Sequence, residues 1–192
     1  MTTSSRFSLS TRRPLCVLLA CVGIASAPTF GRQRGPATPL EHPASEYEVK
    51  AGFLLNFLRF IEWPTRPAGQ AKEPFTVCLV GDDPFRDILD RMVQDETVNG
   101  RPVVIRRLSR WQQGCHLLFV SASERDVFRL LSQTGPGVLT VGEASGFLTD
   151  GGMINFVVED RRVRFDINLK AASSESVKIS SRLLSVARTV LR

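Results

Sequence analysis

The fold class is decided by residues 75–84, which read Phe-Thr-Val-Cys-Leu-Val-Gly-Asp-Asp-Pro. The first six are apolar or β-branched, which is typical of a buried strand. The aspartates that follow can cap a helix, and Pro84 suits its first turn. The next apolar residues recur at helical spacing: Phe85, Ile88, Leu89, Met92 and Val93. A buried strand that leads into an amphipathic helix is the repeating unit of a parallel α/β sheet.

The same alternation continues along the chain. Residues 103–105, 115–120 and 138–141 are short apolar runs with strand character, and Ser123 can cap a helix between two of them. We therefore predict an α/β fold: a mostly parallel sheet with helices on both faces. Upstream, residues 47–63 form a helix that is apolar around most of its circumference, which predicts burial on more than one side.

The last third of the chain follows a different pattern. Residues 153–158 and 162–168 are two strand runs separated by a short turn, and the second alternates apolar and polar residues. This pattern predicts an antiparallel hairpin with one buried face. From about Ser173 we expect one C-terminal helix that runs to the end of the chain.

The N-terminus has the organisation of an export signal. Arg12 and Arg13 precede an apolar run over residues 15–24, and Ala25-Ser26-Ala27 is a small-residue cleavage pattern. We predict a signal over residues 1–27, a flexible linker over 28–45, one domain over 46–192 and a soluble periplasmic product. Leu18-Leu19-Ala20-Cys21 also resembles a lipobox, so a lipoprotein anchored at Cys21 is the alternative.

Composition excludes several classes of protein. The formal net charge of the 192 residues is +6, but residues 1–27 contribute three arginines and no acid, which leaves about +3. This charge is too small to indicate nucleic-acid binding, and no aromatic residues interleave with the basic clusters. No apolar run is long enough for a polytopic membrane protein.

Two cysteines remain after the signal is removed, Cys78 and Cys115. Both fall in strand-like runs, and neighbouring strands would bring them within bridging distance in an oxidising compartment. We expect a Cys78–Cys115 disulfide, with two buried free thiols as the alternative.

Nothing in the sequence indicates an enzyme. The only histidines are His42 in the linker and His116 at a strand start, and no G-x-S-x-G motif is present. Neither the spacing of Cys78, Cys115 and His116 nor the glycine pattern matches a zinc or nucleotide site. We therefore predict no catalytic residue, no metal and no cofactor.

Polar residues follow three of the predicted parallel strands, and ligands of α/β sheets bind at such strand ends. These residues would line a small-molecule crevice: Gly81, Asp82, Ser121, Ser123, Gly142 and Glu143. Helix capping explains the aspartates equally well.

Arginines cluster around the second strand (Arg101, Arg106, Arg107 and Arg110) and around the hairpin turn (Arg161, Arg162 and Arg164). They are either solvated faces or contacts for an anionic ligand or an acidic partner. The hairpin and the C-terminal helix are the candidate partner surface, whose residues are Phe147, Phe156, Arg164, Phe165, Asp166 and Asn168. Core packing of the phenylalanines is the alternative.

Several segments in this order resemble the YfiR family of bacterial periplasmic proteins. They are Lys50-Ala-Gly-Phe-Leu54, Asn56-Phe57, Phe60, Glu62-Trp-Pro64, Gly81-Asp-Asp-Pro-Phe85, Leu139-Thr-Val141, Gly146-Phe147, Gly151-Gly-Met-Ile-Asn-Phe156, Arg164-Phe-Asp-Ile-Asn-Leu169 and Ser180-Ser-Arg-Leu-Leu184. The resemblance covers residues 46–191.

The resemblance implies a non-enzymatic regulator that represses an inner-membrane diguanylate cyclase through the cyclase's periplasmic sensor domain, and so lowers cyclic-di-GMP and biofilm formation. It also implies sequestration by an outer-membrane lipoprotein, and a homodimer is a further prediction for this chain. The type member of the family has a second disulfide near the glycine turn, whereas Gly151 and Gly152 stand there in this chain. A small-molecule-binding accessory protein of a membrane receptor or transport system is the alternative function.

Overall fold

The computed structural model describes residues 45–63 and 73–192. The predicted export signal, the predicted linker up to residue 44 and His42 lie outside the described residues. The helices are α1 (Glu46–Phe60), α2 (Ile88–Val93), α3 (Val127–Ser132), α4 (Leu169–Ser174) and α5 (Ser181–Val186). The strands are β1 (Ile61–Glu62), β2 (Phe75–Val80), β3 (Thr97–Val98), β4 (Arg101–Leu108), β5 (Leu117–Val120), β6 (Leu139–Gly142), β7 (Ile154–Glu159), β8 (Arg162–Asn168), β9 (Lys178–Ile179) and β10 (Thr189–Leu191).

Eight of these strands form one mixed sheet with the order β10-β8-β7-β6-β5-β2-β4-β3. Strands β4, β2, β5, β6 and β7 are parallel neighbours, whereas β7 and β8 form an antiparallel hairpin. A separate two-stranded pair joins β1 to β9. The mostly parallel α/β sheet with an antiparallel hairpin is therefore as predicted.

Helix α1 begins at a capping box. The Ser45 hydroxyl accepts from the Glu48 amide, and the Glu48 carboxylate accepts from the Ser45 amide. Its apolar residues pack on one face of the sheet, where Leu54, Phe57 and Leu58 are fully buried. The helix ends at Phe60, three residues earlier than predicted, because Ile61 turns extended and pairs with β9.

Successive side chains of β2 point to opposite faces of the sheet and so belong to two separate core clusters. Phe75, Val77 and Leu79 pack with α1, whereas Cys78 and Val80 pack on the opposite face with residues of α3. Because both faces of β2 are covered, its sequence is a nearly continuous apolar run, as expected for a buried parallel strand.

The C-terminal segment corrects one prediction. One helix from Ser173 to the end is wrong: α4 ends at Ser174, α5 spans only residues 181–186, and β10 follows. Ala187 is extended and ends α5, and the Arg188 amide donates to the carbonyl oxygen of Phe165. The chain thereby joins β8 as a parallel edge strand, which satisfies backbone groups of β8.

None of the helices in the described part of the chain has the length and apolarity that crossing a bilayer would require.

Candidate functional site

The carboxyl ends of three parallel strands bring the crevice residues together. The amide of Asp82 donates to the Ser123 hydroxyl at 2.7 Å, and the hydroxyls of Ser121 and Ser123 lie 3.3 Å apart. The amide of Ala122 lies 3.4 Å from a carboxylate oxygen of Glu143. Hydrogen bonds thus connect the loops that follow β2, β5 and β6 at the carboxyl ends of these strands.

Glycine at position 81 is required by this close approach. Its φ is +87°, and a Cβ atom there would lie 2.8 Å from the Ser123 hydroxyl oxygen. The same reasoning applies to Gly142, where a Cβ atom would lie 2.4 Å from the Phe147 ring. Packing within the chain therefore explains both glycines of the crevice.

A buried lysine, which the analysis of the sequence did not assign to the crevice, completes it. Lys50 of α1 is 3% exposed, and its Nζ lies 2.7 Å from Oε2 of Glu143 and 2.5 Å from Oε1 of Glu46. The same ammonium lies 4.6 Å from the centre of the Tyr47 ring. A single lysine inside the apolar stretch of α1 was the available signal, because a buried lysine needs an anionic partner.

Electrostatics keep this cluster charged. Burial alone would lower the pKa of Lys50, but the hydrogen bonds that its ammonium donates to Glu143 and Glu46 outweigh this effect, and the pKa is raised. Burial first, and then the Glu143 carboxylate, raise the pKa of Tyr47. The raised pKa values keep Lys50 an ammonium and Tyr47 a neutral phenol at neutral pH, and the ammonium lies between Glu46 and Glu143.

His116, the histidine of the domain, lies at the amino end of β5, whereas Ser121 and Ser123 follow its carboxyl end. It precedes β5, its Nδ1 accepts from the Thr76 amide at 3.0 Å, and its ring contacts Phe75 and Trp63. Its other nitrogen lies 3.2 Å from the Arg101 guanidinium. A serine–histidine pair is therefore not formed by Ser121 or Ser123.

No group of three or more His, Cys, Asp or Glu side chains suited to a metal ion occurs within residues 45–63 and 73–192.

The two cysteines are joined as expected. A disulfide links Cys78 of β2 to Cys115, which lies just before β5, with their Cα atoms 5.8 Å apart. The two residues are 0% and 6% exposed, so the bond lies inside the cluster packed against α3. Its position indicates a structural bridge between two neighbouring strands.

The hairpin differs from the expected contact surface. Phe147, Phe156 and Phe165 are only 1–2% exposed and belong to the core. Phe165 makes an edge-to-face contact with Phe57 at 5.1 Å, and Phe147 lies between Gly142 and Gly152. These rings cannot contact a partner without unfolding of the core, which corrects their assignment to a surface.

The polar residues of that expected surface divide between structural and exposed positions. Asp166 accepts two hydrogen bonds from the Arg188 guanidinium, at 2.8 and 2.5 Å. Asn168 caps α4 through the amide of Ala171 and donates to the Leu148 carbonyl oxygen. Of the predicted set, Arg164 alone is exposed.

The family described as YfiR/HmsC-like (DUF4154) matches residues 47–188, which is nearly the whole described domain. No curated protein matches the chain.

Proposed function

Because the chain belongs to the YfiR/HmsC-like family, we propose that it is a periplasmic regulatory protein that acts by binding and represses an inner-membrane diguanylate cyclase. The family match over residues 47–188 is the observation that carries this proposal. The target is the periplasmic sensor domain of the cyclase, and the effect is less cyclic-di-GMP and less biofilm.

The domain itself is suited to a binding role. Its polar groups at the strand ends are committed to one another, and its ion pair and disulfide are buried. The two layers of core and the bridge between β2 and β5 give a rigid scaffold, which lowers the entropic cost of forming an interface. An outer-membrane lipoprotein that competes for the regulator, and a homodimer, belong to the same proposal.

Export is a further part of the proposal. Cleavage after residue 27 would release the domain into the periplasm, where a disulfide is stable. Intact-mass measurement of protein from a periplasmic extract tests this. The mass of a chain that begins at residue 28 supports a soluble product. A lipid-modified chain that begins at Cys21 indicates an anchored lipoprotein instead. An unprocessed protein in the cytoplasm rules out both.

Deletion of the gene tests the regulatory proposal. We expect higher cyclic-di-GMP and more biofilm, both restored by the wild-type gene, because the cyclase loses its repressor. Binding of the purified protein to the isolated periplasmic domain of the cyclase, measured by calorimetry, is the direct test. Unchanged cyclic-di-GMP together with no binding would refute the proposal.

The convergence of Asp82, Ser123 and Glu143 at three strand ends favours a second candidate function. A small solute that replaces these internal hydrogen bonds would make the protein a ligand-binding accessory of a membrane receptor or transport system. A solute library screened by thermal shift tests it, since a ligand of the folded state raises the melting temperature. A shift that Ser123→Ala abolishes would support this function.

A further inference from the structure

An open groove lies between α1, the β7–β8 hairpin and α5. Phe53 and Val163 form its floor, Val158 and Val186 lie at its rims, and Arg161 and Arg162 stand at its mouth. The groove consists of two adjoining depressions of ≈ 440 and ≈ 370 Å³, both of which are lined by Phe53, Arg162 and Val163. We call it the hairpin groove.

The rims of the hairpin groove are apolar and exposed. Val158 is 53% exposed and Val186 is 61% exposed, while Phe53 and Val163 are half-buried beneath them. Scattered apolar residues are common on protein surfaces, but a contiguous set that lines one concave feature is typical of an interaction site. The apolar rings of the core, such as Phe165, support this floor from below.

The charge around the groove is positive and uncompensated. Arg161, Arg162 and Arg164 are exposed, and within the described residues none of the three forms a salt bridge. Of the acids nearby, Glu46 pairs with Lys50 at 2.5 Å and Glu159 pairs with Arg188 at 3.5 Å. Asp160 in the turn is the nearby acid for which the described structure shows no ion pair, so the arginines exceed the available carboxylates.

The hairpin turn is built at a conformational cost. Asp160 and Arg161 form a two-residue turn in which both have positive φ, +50° and +59°. Asn-Gly favours such a turn, because asparagine and glycine adopt positive φ at little cost. A bulky residue such as arginine is strained in this left-handed region. The chain nevertheless places an arginine there, at the mouth of the groove, and strain of this kind is concentrated at functional sites.

We propose that the hairpin groove is the docking site for a partner protein segment that carries both acidic and apolar side chains. Apolar side chains would cover Val158 and Val186, and carboxylates would pair with Arg161 and Arg162 at the mouth of the groove. Arg164 alternates with Val163 along β8, so it adds positive charge from the opposite face of the hairpin. The inference extends the proposed function, since it specifies the surface that the regulator offers and the chemistry of the partner.

Synthetic peptides test this chemistry without the cyclase. Three fluorescently labelled peptides of equal length are titrated with the full purified protein: leucine with glutamate, leucine with lysine, and serine with glutamate. We expect only the first to bind, because it alone supplies both apolar groups and negative charge. Equal binding of all three peptides, or none, overturns the proposal.

Variants of the protein locate the site. R161E/R162E should weaken binding of the leucine–glutamate peptide about tenfold, since it reverses two charges that would pair with the peptide carboxylates. R110E/R125E makes the same change in net charge at exposed arginines elsewhere and should leave binding unchanged. Val158→Ser should weaken binding, whereas Val104→Ser, at a partly exposed strand valine near the other edge of the sheet, should not. Equal loss in the paired variants would overturn the proposal.

Two other occupants are outcomes that contradict it. Co-sedimentation with phosphatidylglycerol–phosphatidylethanolamine vesicles that R161E/R162E abolishes would assign the groove to a membrane surface. A dimer in sedimentation equilibrium that R161E/R162E dissociates would assign it to a second copy of the chain. Circular dichroism and a melting curve close to wild type show that each variant is folded.

The proposal can fail while the regulatory function stands, and the reverse. Full complementation of the gene deletion by R161E/R162E would remove the groove from regulation and leave the repressor intact. Specific peptide binding in the groove, together with unchanged cyclic-di-GMP after deletion, would preserve the groove and refute the cyclase as its target.

Discussion

Nζ of Lys50 lies 2.7 Å from Oε2 of Glu143 and joins the first helix to the end of the central strand β6. The side chains are 4% and 7% exposed, so both charges are removed from water. A pair of this kind adds little net stability over apolar side chains of the same shape, but each partner is costly when it is left alone.

We expect Lys50→Met to lower the free energy of unfolding by about 3–5 kcal/mol, because the Glu143 carboxylate is left buried without its cation. The double variant K50M/E143Q should recover much of that loss, since it removes both charges. Urea denaturation followed by circular dichroism measures both values. Lys170→Met, at an exposed lysine, is the matched control and should change stability by less than about 0.5 kcal/mol. A K50M variant as stable as this control would contradict the buried ion pair.

The same cluster predicts a loss of stability at alkaline pH. The folded-state pKa of Lys50 and that of Tyr47 are both raised above their ordinary values of 10.5 and 10.0. The folded protein therefore holds these protons at a pH where the unfolded chain has released them. Their contribution to stability is complete below about pH 10 and is lost as the pH rises through the folded-state values.

Denaturation midpoints at pH 9, 10 and 11 measure this effect. K50M/E143Q should have a shallower decline above about pH 10 than the wild type, because the lysine no longer titrates and Tyr47 loses the neighbouring carboxylate. Parallel declines in the two proteins would show that other groups control the alkaline transition. Short exposure times limit alkaline damage to the disulfide.

The sequence correctly predicted helices and strands where the local pattern of apolar residues agrees with the tertiary structure. The run of residues 75–80 is strand β2 as predicted, and residues 162–168 are strand β8, because an apolar or alternating pattern leaves one stable arrangement. The two-residue strands β1 and β9 carry no such pattern. They form where the segment after α1 pairs with the segment after α4, and no local signal specifies that contact.

The C-terminus shows the limit of periodicity. Val190 and Leu191 continue the helical spacing of Leu183 and Leu184, yet they belong to β10. Pairing with β8 supplies backbone hydrogen bonds to an exposed strand, and that advantage outweighs the helical pattern over a few residues. Helical spacing alone could not distinguish the two outcomes.

The partner surface predicted on the hairpin was wrong because its residues lie on two different faces. Phe165 and Asp166 are consecutive in β8, so their side chains point to opposite faces of the sheet and cannot form one contact surface. The grouping of the crevice residues was more predictable, because the carboxyl ends of neighbouring parallel strands always lie on the same side of a sheet. Lys50 joined it only through the packing of α1, which the sequence does not specify.

The disulfide is expected to stabilise the domain without acting as a switch. Because Cys78 is fully buried and Cys115 is 6% exposed, a thiol reagent reaches the bond only when the core opens. Glutathione in millimolar amounts should leave it intact in the native protein, as measured by mass spectrometry after alkylation. Rapid reduction under native conditions would instead indicate an accessible, regulatory bond.

Removal of the bond should lower stability substantially. We expect C78S/C115S to lose about 2–5 kcal/mol, because the bond closes a long loop between neighbouring strands. Wild-type protein reduced in denaturant and refolded with its thiols kept reduced provides a comparison that keeps the sequence. Equal stability of oxidised protein and C78S/C115S would show that packing alone holds β2 and β5 together.

The slot around Phe147 gives the sharpest test of packing. A Cβ atom at Gly142 would lie 2.4 Å from the ring, and one at Gly152 would lie 2.1 Å from it. Since Phe147 is 1% exposed, its ring cannot move away without disrupting the core. We expect Gly152→Ala and Gly142→Ala each to cost about 2 kcal/mol or more, in the range measured for overpacked cores.

Gly52→Ala is the matched control for these substitutions. Gly52 lies inside α1, and an added Cβ would meet only Met92 Cε at 3.9 Å, an ordinary contact. Alanine there should raise the free energy of unfolding by about 0.5–1 kcal/mol, because it reduces the freedom of the unfolded chain. Phe147→Leu should partly rescue Gly152→Ala, since the smaller side chain relieves the overlap while keeping the site apolar. If Gly152→Ala is as stable as the wild type, or if Phe147→Leu does not reduce its cost, then the ring does not occupy this slot.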